Sequence, residues 1–383
     1  MRRHDPGKPL CVVDVGVMHP EGAGISRYLH ELLPRMVLQR RGSQFRWLGY
    51  GRGAWQLPEM GTASGQKNGI HLRSDRFPYA LGRLSSLFFQ APIWSCLDRP
   101  ALYWGPAHRL PVYLPAATRC VLTIHDLSWR SAPETMRPTT RLFDRGFMVR
   151  SIKRADAVIT VSRSIADEVR ELYPFAAEKV VAVPSAASLT PSASTDLADI
   201  EPRLSSGQFL LFVGTFEPRK NLRRLLSAHS QCFETHRVPL VLAGSEGWRD
   251  ASIHSAIREA EGEGRVIRVG RVSDTRLAAL YEHAVCLVFP SLYEGFGLPL
   301  LEAMSTGTPV ITSNRGACAE VAADGGLLVD PTSVDELAAA MNAMVSDSAL
   351  REWLGKRAAA VAKHYDWDQA ATAMIDVFEQ LLG

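Results

Sequence analysis

FPSLYEGFGLPLLEAM, residues Phe289–Met304, decides how the rest of the chain is read. The apolar run Val285–Phe289 reads as a strand, Pro290–Phe296 as a loop, and a helix is expected from near Gly297. Pro299 suits the first helical turn, where a missing N–H is no loss. The amides of Phe296, Gly297 and Leu298 then open outward from a helix N-terminus, an arrangement that holds anions. Glu294 precedes that cradle and Glu302 follows it, eight positions on. Leu300, Leu301, Ala303 and Met304 surround Glu302 with core-type residues, so its carboxylate needs a polar partner, and a pair of ligand hydroxyls would serve. The plainer alternative makes Glu294 a loop charge and Glu302 part of a solvated helix face.

The same strand–loop–helix unit recurs upstream. FLLFVG (209–214) is followed by TFEPRKNLRRLLSAH, with Arg219 and Lys220 in the loop before a helix at Asn221. Two adjacent cations there are either surface charges or, at the C-terminal end of a strand, a phosphate clamp; the position favours the clamp. VPLVLAG (238–244), RVIRVG (265–270) and PVITS (309–313) are further strands, and a helix opens with Asp274 near its cap. Two helices at 333–345 and 347–364 and a last one from Trp367 complete this half.

The first half repeats the alternation. PLCVVDV (9–15) reads as a buried parallel strand, and the helix after it puts Ile25, Tyr28, Leu29, Leu32 and Leu33 on one face. Its entry loop holds Gly22 and Gly24, but position 27 is Arg, so the dinucleotide fingerprint fails. Gly24 is either a turn glycine or the point where the backbone approaches a ligand phosphate. Strands are expected at 45–50, 70–73, 157–162 and 180–185, and TRCVLTIHD (118–126) ends in His125–Asp126, either a structural pair or a ligand-facing one. Residues 77–97 form a core helix broken at Pro92, or else a groove or membrane-facing surface carrying Phe88, Phe89, Ile93 and Trp94. Arg137, Arg141, Arg145, Arg150, Lys153 and Arg154 fall on one further helix, as a solvated face or a docking face.

Composition sets bounds. A chain of 383 residues with 46% hydrophobic and 22% charged residues is globular and long enough for two domains. Six cysteines without a Cys-x-x-Cys suggest reduced, buried thiols of a cytoplasmic protein. No run is apolar enough to span a membrane, and MRRHDPGKPLCVVDV passes straight into a strand, unlike a signal peptide. The net charge of +3 hides an asymmetry: residues 1–190 carry 26 Lys and Arg against 15 Asp and Glu, the remainder 17 against 25. A basic first half suits anionic lipid headgroups or a pyrophosphate-linked acceptor. It does not suit nucleic acid, since no aromatic-interleaved basic motif accompanies the charge. Asp366-Trp367-Asp368 has the look of a metal motif, but it lies between two helices and far from any strand end, so no metal site is expected.

With these residues in view, EGFGLPLLEAMSTGTPVI (294–311) resembles the Glu-x7-Glu signature of retaining glycosyltransferases of the GT-B fold, family 4. GISRY (24–28) is similar to the family's N-terminal glycine loop, with Ser26 where many members carry a second glycine. HDLSWRSAPE (125–134) and GTFEPRKNL (214–222) resemble two further family segments. The resemblance implies an α/β fold of two Rossmann-like domains facing each other across a cleft. The expected parts are an acceptor domain at 1–187, a linker at 188–207, a donor domain at 208–365 and a C-terminal helix, 366–383, crossing back to the first domain. It also implies roles: Gly24, Thr215, Val272, Phe296, Gly297, Leu298 and Glu302 bind the nucleotide-sugar donor, with Glu302 on the ribose and Val272 on the base. Arg219 and Lys220 grip the diphosphate, Glu294 holds sugar hydroxyls, and His125 contacts the sugar. The implied reaction is retaining, needs no metal or cofactor, and moves a sugar, with mannose from GDP-mannose the leading choice. The acceptor would be lipid-linked or a growing bacterial polysaccharide, met at the inner face of the cytoplasmic membrane. Where the family usually shows Asn-Gly-Val-Asp, this chain has Ser185-Ala186-Ala187-Ser188. A nucleotide-sugar epimerase on the same fold and a silent nucleotide-binding scaffold are the alternatives; the presence of Arg219, Lys220, Glu294 and Glu302 argues against the scaffold.

Overall fold

The computed structural model describes residues 7–18, 24–51, 71–74, 99–133, 138–189, 196–204, 208–247 and 251–383. The chain forms two compact units, one from Met1–Leu127, Pro138–Ser185 and Trp367–Gly383, the other from Ser128–Arg137 and Ala186–Asp366.

In the first unit β1 (Leu10–Asp14), β2 (Arg46–Gly51), β3 (His71–Ser74), β4 (Leu102–Gly105), β5 (Arg119–Ile124), β6 (Ala157–Thr160) and β7 (Val180–Ala182) make one sheet. Its order is β3-β2-β1-β4-β5-β6-β7 and every pairing is parallel. Strands covered on both faces need no alternation, and the central ones are apolar throughout: Val12, Leu102, Tyr103, Trp104, Val121 and Leu122 are all 0% exposed. β4 escapes the sequence reading because it is four residues between Pro100 and Pro106, too short for a pattern. It is nonetheless central, and Trp104 Nε1 donates to Thr123 Oγ1 on β5 at 2.9 Å. The helices up to this point are α1 (Ile25–Leu38), the single turn α2 (Ser128–Ser131), α3 (Pro138–Arg154) and α4 (Arg163–Leu172), the last capped by Ser162 Oγ, which accepts from Ile165 N.

The basic helix divides its charges. On α3, Arg150 donates to Val112 O at 2.6 Å and Arg154 to Thr118 O at 2.9 Å, so these two staple the 111–118 segment. Arg141, Arg145 and Lys153 are exposed. Arg137 and the 77–97 segment lie outside the described residues.

The second unit holds β8 (Leu210–Val213), β9 (Leu240–Ala243), β10 (Val266–Gly270), β11 (Cys286–Phe289), β12 (Val310–Ser313) and β13 (Gly326–Val329), in the parallel order β10-β9-β8-β11-β12-β13. Its helices are α5 (Leu222–His236), α6 (Ala251–Gly262), α7 (Asp274–His283), α8 (Leu298–Ser305), α9 (Gly316–Ala322), α10 (Val334–Ser346) and α11 (Ser348–Ala362); α12 (Trp367–Leu382) ends the chain. In both sheets the strand order reverses beside the first strand, between β1 and β4 and between β8 and β11. Open α/β sheets bind ligands at the carboxyl ends of the strands flanking such a reversal.

One boundary differs from expectation, the linker, while the last helix packs where it was expected. Within the 188–207 linker, residues 196–204 are folded into the second unit as two short 3₁₀ turns with Leu197 and Leu204 buried. Asp196 and Pro202 open these turns, the first closed by Asp196 accepting from Ala198 N, rather than lying in a free tether. α12 packs in the first unit, where Trp367 meets the Tyr28 ring at 5.9 Å and Phe378 lies 6.0 Å from both Trp47 and Trp104. Asp368 sits 3.4 Å from Arg35 Nε, and no cluster of three His, Cys, Asp or Glu fit for a metal occurs among the described residues.

Candidate active site

In the second unit the chain leaves β8 through Gly214 and Thr215 into a 3₁₀ turn, Pro218–Lys220. Asn221 follows in the left-handed region (φ 62°) and is buried. Its Nδ2 donates to Pro290 O at 3.1 Å and to Pro331 O at 2.6 Å. One amide thus ties together the loops after β8, β11 and β13, and the turn it fixes sends Lys220 inward.

Lys220 Nζ lies 2.5 Å from Glu294 Oε1 and 4.5 Å from the centre of the Phe289 ring. Arg219 Nη1 lies 2.7 Å from Glu294 Oε2, and its Nε lies 3.3 Å from Glu217. Glu294 and Lys220 are buried at 9% and 6% exposure. Burial pushes the Glu294 carboxyl up, but the charges of Arg219 and Lys220 outweigh it and hold the group below the usual carboxylate range. Burial takes the Lys220 ammonium below its ordinary value, against the pull of Glu294. The sequence places these residues 74 and 75 positions apart; the β8–β11 pairing makes them neighbours.

Beside them α8 begins. Gly297 caps it at φ 98°, where a side chain would be strained and its Cβ would stand 3.2 Å from Leu300 Cδ1. Leu300 N already bonds to Gly297 O, whereas the amides of Phe296, Gly297 and Leu298 have no partner among the described residues. Glu302, 3% exposed on α8, accepts from Tyr281 Oη at 3.1 Å. Val272 lies in the connection from β10 to α7, whose N-cap is Ser273, accepting from Arg276 N, with Asp274 next to it as the first helical residue. Thr215 turns the chain after β8, its carbonyl accepting from Glu217 N at 2.9 Å.

The first unit holds the other two expected residues. Gly24 caps α1 at φ 58°, and a Cβ there would meet nothing within 4 Å, so backbone conformation alone calls for glycine. His125 follows β5, and its Nε2 donates to Pro106 O at 2.7 Å, which makes Nδ1 the acceptor in the neutral ring. The Tyr28 ring meets it edge-on at 4.9 Å and His108 at 5.4 Å. Burial, then the neighbouring His108, lowers its pKa to about 3, so the imidazole is neutral near pH 7. His108 has φ 61°, with its N–H bonded to Thr123 O. Asn221, Tyr281 and His108 went unnoticed as site residues because only the strand order brings them to these edges. An Asn before a helix, open to the left-handed region, was the one usable signal.

Comparison with known proteins agrees with this geometry. Residues 22–190 match the family described as Glycosyltransferase Family 4 and residues 196–361 that described as Glycosyl transferases group 1. O-antigen chain mannosyltransferase B of Escherichia coli is 32% identical over 370 residues, covering 94% of this chain and 96% of that protein. The chain belongs to glycosyltransferase family 4. Among solved structures, HepE of Anabaena with UDP-glucose superposes at TM-score 0.73 (18% identity, 97% of this chain and 99% of that one). WaaG, a glycosyltransferase involved in lipopolysaccharide biosynthesis, superposes at 0.69 (17% identity, 96% and 99%). This family 4 glycosyltransferase is therefore an enzyme built from two Rossmann-like units of the GT-B kind. Among its described residues no helix is long and apolar enough to cross a membrane.

Proposed function

We propose that this glycosyltransferase moves mannose from GDP-mannose, with retention at the anomeric carbon, to a lipid-linked or growing bacterial polysaccharide. The observation that carries the chemistry is the Arg219–Glu294–Lys220 cluster beside the bare amides of α8, at the strand-order reversal of the second sheet. Mannose and the polysaccharide acceptor rest on the similarity to the O-antigen mannosyltransferase.

When the bond from the anomeric carbon to the diphosphate breaks, negative charge grows on phosphate. Arg219, Lys220 and the amides of Phe296, Gly297 and Leu298 meet it, already in place. The incoming diphosphate competes with Glu294 for the two cations. Glu294, relieved of part of that pairing, accepts sugar hydroxyls and offsets positive charge at the ring. Glu302 accepts from the ribose, Val272 meets the base through its backbone, and Thr215 and Gly24 let phosphate oxygens approach the main chain. His125 accepts a sugar hydroxyl at Nδ1. The new glycosidic bond forms on the face from which the diphosphate departs. All of the leaving-group charge is assigned to the protein, so full activity in a chelator is expected.

Thermal stability with GDP, UDP, dTDP and ADP tests the donor, since a ligand of the native state raises Tm. A shift with GDP alone, absent in Glu302→Ala, is expected; a shift with UDP alone removes GDP-mannose. The exposed Arg141, Arg145 and Lys153 support peripheral contact with anionic lipid at the inner face of the membrane. Flotation with anionic vesicles at low salt, lost at high salt, is the expected result, and no flotation at low salt removes that contact.

A further inference from the structure

A carboxylate buried to 3% exposure on α8 must be oriented as well as satisfied, and Glu302 is oriented from another helix. Tyr281, fully buried on α7, donates its phenol proton to Glu302 Oε2 at 3.1 Å. Three hydroxyls within SerThrGlyThr (305–308) lock the two backbones that carry this bond. Ser305 Oγ donates to Glu302 O at 2.7 Å, Thr306 Oγ1 to Ala303 O at 2.8 Å, and Thr308 Oγ1 to Tyr281 O at 2.7 Å. Thr306 and Thr308 hydroxyls also lie 2.9 Å apart. The end of α8 is thereby hooked to the last turns of α7, and the distance from phenol to carboxylate is fixed at both ends.

This is more machinery than packing requires. Burying a carboxylate beside a neutral phenol costs desolvation that packing alone does not offset, so a carboxylate held this firmly serves something other than the core. A carboxylate has about four lone-pair sites, and the phenol bond takes one of them while helping to set its plane. We propose that Tyr281 is a positioning residue that sets the Glu302 carboxylate for the vicinal hydroxyls of the donor ribose, so that recognition of ribose depends on a side chain that never touches it. The inference rests on the ribose role proposed for Glu302.

Calorimetric titration of GDP, UDP and their 2′-deoxy counterparts into the intact protein separates the two ideas. The wild type should bind the ribonucleotide about tenfold or more tightly than the deoxy form, as expected for a hydrogen bond to a charged acceptor. Tyr281→Phe, which keeps the ring, should lose about five- to tenfold for the ribonucleotide and nothing for the deoxy form, narrowing the ratio. In a Glu302→Gln background the same change should leave the ratio where Glu302→Gln alone put it. A wild-type and Glu302→Gln pair that behave as stated, with Tyr281→Phe weakening both nucleotides equally or neither, overturns the role of Tyr281 alone. No ribose discrimination in the wild type overturns the Glu302 reading and this inference with it. Should Tyr281→Phe melt too low to titrate, Thr308→Val, which removes the hook on the Tyr281 carbonyl, must narrow the same ratio or the proposal fails.

Discussion

The two sheets end in opposite chemistries. At the β8/β11 edge the buried Glu294 carboxylate pairs with two cations, the buried Lys220 at 2.5 Å and the part-buried Arg219 at 2.7 Å. At the β4/β5 edge the His125 imidazole is kept uncharged, with the Tyr28 and His108 rings against it. Under the proposed function, buried charge stands where charge would develop and a neutral acceptor where hydroxyls would be told apart. A charge in place of His125 would grip any anion, whereas an imidazole acceptor would read hydroxyl position.

Removing a cation should break the charged side first. Lys220→Ala should lower kcat by about 100- to 1,000-fold with a folded protein, measured under saturating donor; most activity retained would sink the leaving-group role. Glu294→Gln strips the cations of their buried partner and should destabilise by about 3 kcal/mol in denaturant unfolding. It should also change the acid side of stability. The Glu294 carboxyl is held below its unfolded value, so its contribution is complete above about pH 5 and is lost as pH falls through the folded value. Tm between pH 3 and 7 should therefore fall less steeply in Glu294→Gln than in the wild type.

Asn221 gives a graded test of the scaffold beneath that charge. Asn221→Gly loses three hydrogen bonds but tolerates φ 62°, whereas Asn221→Ala also strains the backbone, so alanine should be about 1 kcal/mol worse than glycine. Equal losses would mean that the left-handed turn is unimportant. The neutral side is tested through pH. His125 resists protonation until about pH 3, while the unfolded chain takes up the proton near 6.5, so its contribution is present above 6.5 and erodes as pH falls toward 3. A His125→Gln variant should show a flatter Tm profile over that range. A break in wild-type activity near pH 6.5 that vanishes in the same variant would show the ring to be an ordinary, titrating histidine.

How legible was this from residues alone? The long apolar strands, the Gly297–Pro299 helix start and the Arg219-Lys220 and Glu294 positions were readable, because each is a local pattern with a local cause. What the cations touch was not, since Glu294 joins them through strand pairing and not through spacing. β4 was invisible for want of length, and with it went His108 and the carbonyl of Pro106 that holds His125. Tyr281 drew no attention in the sequence, because the carboxylate it meets lies on another helix, 21 positions on. The Ser- and Pro-rich stretch near 188–207 read as a tether because composition reports turns and says nothing of what Leu197 and Leu204 pack upon.

One consequence concerns the order of synthesis. α12 supplies Trp367 and Phe378 to an aromatic cluster whose other members, Tyr28, Phe45, Trp47 and Trp104, are made first. Between Ser185 and Trp367 the ribosome must add 181 residues, which takes roughly 10–40 s at 5–20 residues per second. For that interval the nascent first unit exposes the greasy seat of a helix not yet translated. The second unit, whose sheet is continuous in sequence from β8 to β13, waits for nothing. In the cell the half made first is therefore the half finished last, and it is the natural client of a chaperone.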